Sequence, residues 1–484
     1  MAAIFRRFSE THETRGSTPF TDRGTGFSGW RVRLDTSRAV PTPAAGGGRV
    51  YVGAGFGSYD FYSFDALTGR QAWHLSTTDD GPTAAVLADG FVLFNTESCT
   101  LEIVQARSGE RVWHRWLGDP LLAQPAVMNG RVFMVYPKNG SHWLGAFALA
   151  DGAPLWETRL DHDVITAPVV AEGRVYLSTF DGTVWCIQPE NGRVQWSQQL
   201  QATSAPWIFE GDVFVAQREE GEPGARESGD PGRTRSGEDM AADKQAPRER
   251  TSRHDSGTGR LKSSSSAKVA EYLSRHTGAA RKASYYAMDS AVGFGHSPSS
   301  AKLHAAEKLI GENLVSRAWR FQGSRPVVVN GILYETTGDR LEASDARTGE
   351  VLWSWHDAAP VEGERRLTPP AVANGHVWAG TWDGRIISWD ALTGDVRWAV
   401  PAGAPPCHWQ PVASGGWIFA GLEDGSLLGF ATGDPLDDGW PMWGGGCGHN
   451  GTPLPESPPP SSAPPRGGHE DHKTPETAPA VLVN

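Results

Sequence analysis

A glycine followed four positions later by a tryptophan recurs along this chain, and this pattern constrains the fold more than any other feature. The six pairs are Gly69/Trp73, Gly109/Trp113, Gly152/Trp156, Gly192/Trp196, Gly349/Trp353 and Gly394/Trp398. Adjacent copies lie 40, 43, 40 and 45 residues apart, which is the length of one four-stranded propeller blade. A sheet of this size cannot bury both faces alone, so it must stack on copies of itself.

Each unit repeats the same strands and turns. Short segments such as RVYVGA (49–54) and RVYLST (174–179) are followed by Asp-Gly turns, as at Asp181-Gly182 and Asp383-Gly384. Glycine supplies the positive φ angle that a two-residue hairpin requires. Strands of five or six residues separated by such turns predict antiparallel sheets.

Eight units can be counted, with seven as the alternative. They lie near residues 41–75, 82–117, 122–160, 165–200, 204–321, 324–356, 368–400 and 409–430. The last unit lacks a fourth strand, and the N-terminal segment Gly29–Leu34 resembles one. Closing the ring with this segment would leave no free sheet edge. The sequence therefore predicts an all-β, eight-bladed β-propeller of four-stranded antiparallel blades.

The tryptophans of the fourth strands are predicted to have a structural role. They are expected to wedge between neighbouring blades and seal each interface, since 20 tryptophans in one chain form a large apolar surface that must be buried. The predicted blade tryptophans are Trp30, Trp73, Trp113, Trp156, Trp196, Trp319, Trp353 and Trp398.

Two segments resemble pyrroloquinoline-quinone repeats: VYVGAGFGSYDFYSFDALTGRQAW (50–73) and VWAGTWDGRIISWDALTGDVRW (377–398). The specific part is Asp-Ala-Leu-Thr-Gly followed by Trp, and the resemblance covers roughly 29–433 with one interruption. It implies a propeller of the quinoprotein alcohol dehydrogenase-like superfamily. That superfamily includes dehydrogenases that bind the quinone with calcium, and binding propellers similar to the outer-membrane assembly lipoprotein, which hold no cofactor.

The chain departs from the dehydrogenase pattern. Such enzymes carry an adjacent cysteine pair, whereas Cys99, Cys186, Cys407 and Cys447 are all separate. No nucleophile elbow, Walker loop or HExxH motif occurs, so no catalytic, cofactor-binding or metal-binding residues are predicted. We expect a non-catalytic scaffold without a cofactor. The alternatives are a dehydrogenase dependent on pyrroloquinoline quinone (PQQ) and calcium, and a ligand-sensing propeller module.

Charge and composition bear on partners and location. The net charge of −12 argues against whole-chain binding to nucleic acid or anionic membrane. No apolar run is long enough for a membrane span. The polar N-terminus is a poor secretory signal, and few cysteines are present. These features predict a cytoplasmic monomer with a protein partner.

The domain organisation follows from the repeat and its interruption. Trp319 follows Trp196 by 123 positions, where a blade needs about forty. Blade five is predicted from IFEGDVFVAQ (208–217), SYYAMDSAVG (284–293) and SRAWRFQG (316–323). The predicted segments are a disordered N-terminus (1–28), the propeller (29–433), a disordered charged insertion (218–283), a second insertion with a short helix (294–315), a packing strap (434–452) and a disordered Pro-rich tail (453–484).

Two groups of residues are candidates for binding. The first is a basic arm within the insertion that could bind an acidic partner or nucleic acid, a solvated linker being the alternative: Arg248, Arg250, Arg253, Arg260, Lys262 and Lys268. The second lies on the face formed by the second-to-third-strand loops and the loops between blades. Its residues are His162, Asp163, Arg365, Arg366, His408 and Trp409.

Overall fold

The computed structural model describes the chain in thirteen stretches that belong to one compact unit. They are residues 16–36, 39–55, 57–118, 123–162, 164, 166–179, 181–219, 248–265, 268–269, 326–337, 340–356, 367–405 and 410–446. These residues form eight antiparallel sheets and contain no helix. The predicted all-β, eight-bladed propeller is therefore confirmed.

The N-terminal hairpin and blades one to four comprise β1 (Thr18–Thr21), β2 (Ser28–Arg33), β3 (Ala44–Gly46), β4 (Arg49–Gly53), β5 (Asp60–Asp65), β6 (Gln71–Ser76), β7 (Val86–Ala88), β8 (Phe91–Asn95), β9 (Thr100–Gln105), β10 (Arg111–Trp116), β11 (Ala126–Met128), β12 (Arg131–Lys138), β13 (Ser141–Ala148), β14 (Pro154–Leu160), β15 (Val169–Ala171), β16 (Arg174–Ser178), β17 (Thr183–Ile187) and β18 (Val194–Gln199). Blades five to eight comprise β19 (Trp207–Phe209), β20 (Asp212–Glu219), β21 (Arg248–Asp255), β22 (Leu261–Ser264), β23 (Lys268–Val269), β24 (Val327–Val329), β25 (Ile332–Thr337), β26 (Arg340–Asp345), β27 (Val351–His356), β28 (Ala371–Ala373), β29 (His376–Gly380), β30 (Arg385–Asp390), β31 (Val396–Pro401), β32 (Val412–Ser414), β33 (Trp417–Gly421) and β34 (Ser426–Ala431).

Within each blade the strands pair in chain order, from a three-residue first strand to an outer fourth strand. First strands of successive blades contact one another, as β3 does with β7 and β32, so they line the central axis. Second strands are buried on both faces because each blade lies between two others. Phe61 and Phe94 illustrate the packing between blades one and two, with parallel rings whose centroids are 4.0 Å apart.

The ring closes through its N-terminal strand, as the sequence predicts. Strand β2 pairs antiparallel with β34, and Trp30 lies opposite Gly429. The backbone N–H of Leu34 donates to Gly425 O at 2.9 Å, which extends the pairing past the last residue of β2. Strand β1 adds a fifth strand outside β2. The prediction of a disordered N-terminus over 1–28 is therefore wrong for Thr18–Thr21, which pair with the closing strand.

The blade tryptophans lie against glycines of the next blade. The pairs are Trp30/Gly69, Trp73/Gly109, Trp113/Gly152, Trp156/Gly192, Trp196/Gly259 and Trp353/Gly394. In each pair the indole Nε1 donates to the carbonyl three residues before the glycine, at 2.8–3.0 Å. Trp398 instead contacts Phe27 of the N-terminal hairpin edge to face. Trp319 lies outside the described residues.

Blade five is built differently from the prediction. Its third and fourth strands are β21 and β22, which pair in register with β20 and with each other. The prediction that residues 218–283 form one disordered insertion is therefore wrong for 248–264. The segments 284–293, 294–315 and 316–323 lie outside the described residues.

The candidate residues of the predicted basic arm lie in and between strands of blade five, so they do not form an arm within a disordered loop. Arg248, Arg250 and Arg253 belong to β21, Lys262 to β22 and Lys268 to β23, while Arg260 lies in the turn between β21 and β22. Strand β21 is polar, so the apolar pattern that predicts the other strands does not predict this one. Its Thr251, Ser252 and His254 are nevertheless buried.

A turn signal in the sequence could have located these strands. Asp255 and Thr258-Gly259 have the same spacing as Asp65 and Thr68-Gly69 of blade one. In both turns the aspartate Oδ1 accepts a hydrogen bond from the threonine hydroxyl, at 2.8 and 2.7 Å. Such local side-chain hydrogen bonds stabilise the turn, which explains why Asp and Thr recur at these positions.

Candidate functional site

Strand order defines two faces of the ring. The loops from second to third strands and the loops between blades leave at one end, here called the upper face. The turns from first to second strands and from third to fourth strands leave at the opposite, lower face. This placement follows from the antiparallel order common to the blades.

Blades three and five rise above their neighbours on the upper face. Strands β12, β13, β20 and β21 have eight residues each, whereas β16 and β17 of the intervening blade four have five. Three extra residues extend a strand by about 10 Å. The two tall hairpins therefore flank a lower floor formed by blade four.

The hairpin of blade three is held by a compact polar group. The Lys138 ammonium forms an ion pair with Glu157 at 2.8 Å and lies 5.6 Å from the centroid of the Trp143 ring. The Trp143 Nε1 donates to Lys138 O at 3.2 Å. A cation over an aromatic face stabilises both side chains, so this hairpin presents an ordered amphipathic tip at Asn139-Gly140.

The central channel is filled by the chain itself. Trp440 pairs through its backbone with Ala413 of β32, and the N–H of Ala45 in β3 donates to Pro441 O at 2.7 Å. Trp440, Met442 and Trp443 are buried, and the Trp440 ring stacks on Trp207 of β19 with centroids 5.6 Å apart. Several blades thus share one axial plug, which we define as residues 440–446.

The plug has a direction. Before it, Asp437 O accepts from Gly416 N in the lower turn of blade eight, at 3.0 Å. After Trp440, Trp443 packs with Ala84, which precedes β7 at its upper end. Gly444 N donates to Gln410 Oε1, also above its strand, at 3.1 Å. The segment therefore enters from the lower face and rises toward the upper face. The strap predicted for 434–452 is described as far as residue 446.

Asn374 attaches the base of this segment to blade seven. Its Nδ2 donates to Asp437 Oδ1 at 2.8 Å and to Asp434 Oδ2 at 3.2 Å. Asp437 is only 2 % exposed, so its carboxylate depends on such partners for its polar contacts. This arrangement attaches the segment before the plug to the lower turn of blade seven.

The described residues do not fit a quinone and calcium ion on the axis. Trp207, Trp440 and Trp443 occupy that space. Calcium requires six to eight oxygen ligands, and no three His, Cys, Asp or Glu side chains among the described residues are grouped to hold a metal. The buried carboxylates of Glu102 and Asp212 are bound to arginines of their own blades.

Of the candidate face residues, only His162 is described. It lies on the floor between the tall hairpins, and its Nε2 is 3.3 Å from Asp181 Oδ2. The hydroxyl groups of Thr183 and Thr179, together with His162, hold the pKa of Asp181 below its usual range despite partial burial. Asp163, Arg365, Arg366, His408 and Trp409 lie outside the described residues.

An acidic loop on the upper face was missed by the sequence analysis. Asp79 accepts from the N–H and the hydroxyl of Ser98 at 2.7 and 2.8 Å. The N–H of Glu97 donates to Asp80 O at 2.8 Å. Burial, together with the neighbouring Asp80 and Asp79 carboxylates, raises the pKa of Glu97 to about 7. The Asp79-Asp80 pair was the available signal, but only the fold brings Glu97 beside it.

We call each blade tryptophan that packs on a glycine of the next blade a tryptophan lock. The fold and these tryptophan locks define a propeller of pyrroloquinoline-quinone-type repeats. The chain belongs to the family described as outer membrane protein assembly factor BamB, whose profile matches residues 20–98, 97–229 and 298–438. The resemblance seen in the sequence is thereby confirmed.

Individual relatives match shorter parts. The dehydrogenase subunit of the quinone alcohol dehydrogenase of Gluconobacter oxydans is 33 % identical over 125 residues, 22 % of this chain and 16 % of that protein. BamB of Yersinia pestis is 23 % identical over 192 residues, 36 % of this chain and 48 % of that protein. The chain thus matches less than half the length of either relative.

Among solved structures, BamB from Moraxella catarrhalis superposes with a TM-score of 0.55 at 13 % sequence identity. The superposition covers 86 % of this chain and 99 % of that chain. At this identity the likeness shows the propeller fold.

The predicted cytoplasmic location is wrong. The matching family and several relatives are outer membrane assembly factors. The prediction depended on a polar N-terminal segment and a low cysteine count, and neither feature reports a compartment directly. In the described part of the chain, no helix is long and apolar enough to cross a membrane.

Proposed function

We propose that this chain is a non-catalytic propeller that binds a protein partner through its upper face. The observation that carries the proposal is the axial plug. Trp440 and Trp443 are buried on the axis, so in the described part of the chain its own side chains occupy the axial position that a small substrate would need. The upper face offers loops and two tall hairpins, which suit a broad contact with another protein.

Family membership supports a binding role. The relatives from Yersinia pestis and Burkholderia pseudomallei are named as outer membrane protein assembly factors. We extend to this chain the kind of partner, a protein, that such a name implies. The dehydrogenase relatives match 125 and 88 residues, which is the length of about two to three blades, so their cofactor and activity are not extended to this chain.

The binding surface is proposed to centre on blade four. His162 and Asp181 lie on its floor, and Trp143 and Lys138 stand on one wall. The sequence-based candidates outside the described residues remain candidates for an upper-face surface: Asp163, Arg365, Arg366, His408 and Trp409.

Site-specific photo-crosslinking in the native host tests the proposal. A photoreactive amino acid is placed at Asn139 or His162 on the upper face and, as matched controls, at the exposed Leu67 or Leu392 of the lower turns. We expect both upper-face positions to crosslink to the same protein and both lower-face positions to yield no such adduct. Equal adducts from the two faces, or none from the upper face, would contradict the assignment.

A titration with pyrroloquinoline quinone and calcium tests the competing dehydrogenase function. A binding propeller whose axis is filled is expected to show no change in the visible spectrum of the quinone. A saturable spectral change, together with quinone that stays bound after gel filtration, would favour the enzyme instead.

A further inference from the structure

Among the described residues, no tryptophan locks the interface between blades five and six. Ser263 stands four residues after Gly259, where the other blades carry the lock tryptophan, and it lies opposite Arg253 of β21. In blades one and four the residues opposite the tryptophan are small, namely Ser63 and Cys186. Blade five has therefore exchanged the large and the small partner of this pair.

Arg253 occupies the position from which a tryptophan otherwise reaches the next blade. Its Nη1 donates to Arg347 O in the third-to-fourth-strand turn of blade six, at 3.1 Å. Its Nε donates to Asp212 Oδ2 of β20. The next glycine, Gly349, has none of the described residues within 4 Å of a β-carbon position, so no described side chain takes the place that an indole takes at other interfaces.

The arginine is part of an ionic cluster. Asp212 is 5 % exposed and binds the Lys262 ammonium through its second carboxylate oxygen. Lys262 also reaches Asp255 Oδ2 at 3.1 Å. The hydrogen bonds from Lys262 to Asp212 and Asp255 raise the pKa of Lys262. Charged groups thus occupy, toward the rim of this interface, the position that a tryptophan takes in the other blades.

An apolar cluster near the axis contains Trp207 and Phe214 of blade five together with Val327 and Val328 of blade six, and other contacts across this interface are polar. Near the axis, the Trp207 Nε1 donates to Val328 O of β24 at 3.2 Å. Midway to the rim, the Thr251 hydroxyl donates to Glu335 Oε2 of β25. At the regular interface of blades one and two, the corresponding region contains the stacked rings of Phe61 and Phe94.

We propose that the interface of blades five and six is where the ring opens first. Separating a regular interface exposes an indole and its apolar surroundings to water, which costs about 25 cal/mol per Å². Separating this interface exposes Arg253, Asp212 and Lys262, which water can solvate again. Local opening is cheapest where the least apolar surface is exposed.

Hydrogen exchange measured by mass spectrometry on the full chain tests the proposal. Amides of β21 and β22 are compared with those of β17 and β18 in blade four, which carries the regular Trp196 lock. We expect exchange in blade five to be faster by about tenfold or more. Equal protection of the two blades would overturn the proposal.

A paired substitution separates the interface chemistry from other causes of exchange. The double variant Arg253→Ser with Ser263→Trp places a tryptophan at the regular lock position, facing Gly349. It is expected to slow exchange in β21 and β22 toward the blade-four value, while β17 and β18 stay unchanged. If this folded variant exchanges at the wild-type rate, the opening does not originate in this interface. The wild-type comparison stands even if the variant does not fold.

Discussion

Gly69 lies directly against the indole of Trp30, so close that a β-carbon on Gly69 would be 2.5 Å from the ring. Trp30 comes from the N-terminal strand, and Gly69 belongs to blade one. The same contact recurs at other interfaces, and this explains why glycine and tryptophan recur together. In the regular repeats, such as those of blades two, three and four, the glycine receives the preceding tryptophan, while the tryptophan four residues later covers the next glycine.

Substituting Gly69 with Ala should destabilise the ring through two effects. The residue has a φ of +64°, which is strained for alanine, and the added methyl group must displace the Trp30 ring. We expect a loss of about 2–4 kcal/mol, measured by urea denaturation of the full chain. Gly130→Ala is the matched control, since Gly130 has a φ of +69° but an open β-carbon position. Equal losses at the two sites would show that the indole contact contributes nothing.

Replacing Trp30 with Ala should weaken ring closure. Trp30 is 3 % exposed and its Nε1 donates to Ala66 O at 2.9 Å, so the variant loses a buried indole and leaves a cavity. The expected cost is about 3–5 kcal/mol, measured by thermal and urea unfolding. Trp116→Ala serves as the control because Trp116 is 67 % exposed, and it should change stability by less than about 0.5 kcal/mol. Similar costs at both positions would contradict a closing role for Trp30.

Asn374→Ala should loosen the segment that leads into the axial plug. The variant loses two hydrogen bonds and leaves the buried Asp437 carboxylate with fewer partners, at a cost of about 1–3 kcal/mol. Limited proteolysis should cleave after residue 431 faster than in the wild type. Asn330→Ala is the control, since Asn330 has a similar φ of +52° in the equivalent turn of blade six and an exposed side chain. Unchanged cleavage in Asn374→Ala would show that this attachment does not hold the plug.

Glu97→Gln should stabilise the protein at alkaline but not at acid pH. The pKa of Glu97 is raised from 4.5 to about 7 in the folded chain, so the folded state is penalised as pH rises above 4.5, and fully so above 7. Glutamine carries no charge and removes the penalty. Since Glu97 is partly exposed, the gain at pH 8 should be about 1–2 kcal/mol.

Urea denaturation at pH 4 and pH 8 measures this difference. Glu110→Gln, an exposed site in the same blade, controls for the change in net charge. A Glu97→Gln gain of the same size at both pH values would exclude the carboxylate as its source.

Much of the fold was predictable because it is periodic. Spacing between residues such as Gly152 and Gly192 reports the blade length directly, and the incomplete eighth unit required Trp30 to return from the N-terminus. Blade five escaped prediction because Ser263 replaces the tryptophan and β21 is polar. Asp212 and Lys262 of this blade form an ion pair although they are fifty residues apart in the chain, and no local sequence pattern predicts their contact.

The candidate site was less predictable than the fold. Chain order placed His162 on the upper face, but the wall formed by Lys138 and Trp143 and the acidic loop around Glu97 depend on strand lengths and on contacts between blades. The location was predicted wrongly, because the polar composition of a terminal segment does not report a compartment.

The sequence by itself determined the number of blades, the closing strand and the role of the lock tryptophans, because each repeat must match its neighbours in spacing and shape. Only the tertiary structure decided that residues 440–446 fill the channel from below and that Arg253 replaces a tryptophan between blades five and six. Both depend on contacts between residues distant in the chain, such as Trp440 with Trp207 and Arg253 with Arg347. Such contacts exist only when the closed ring brings those residues together.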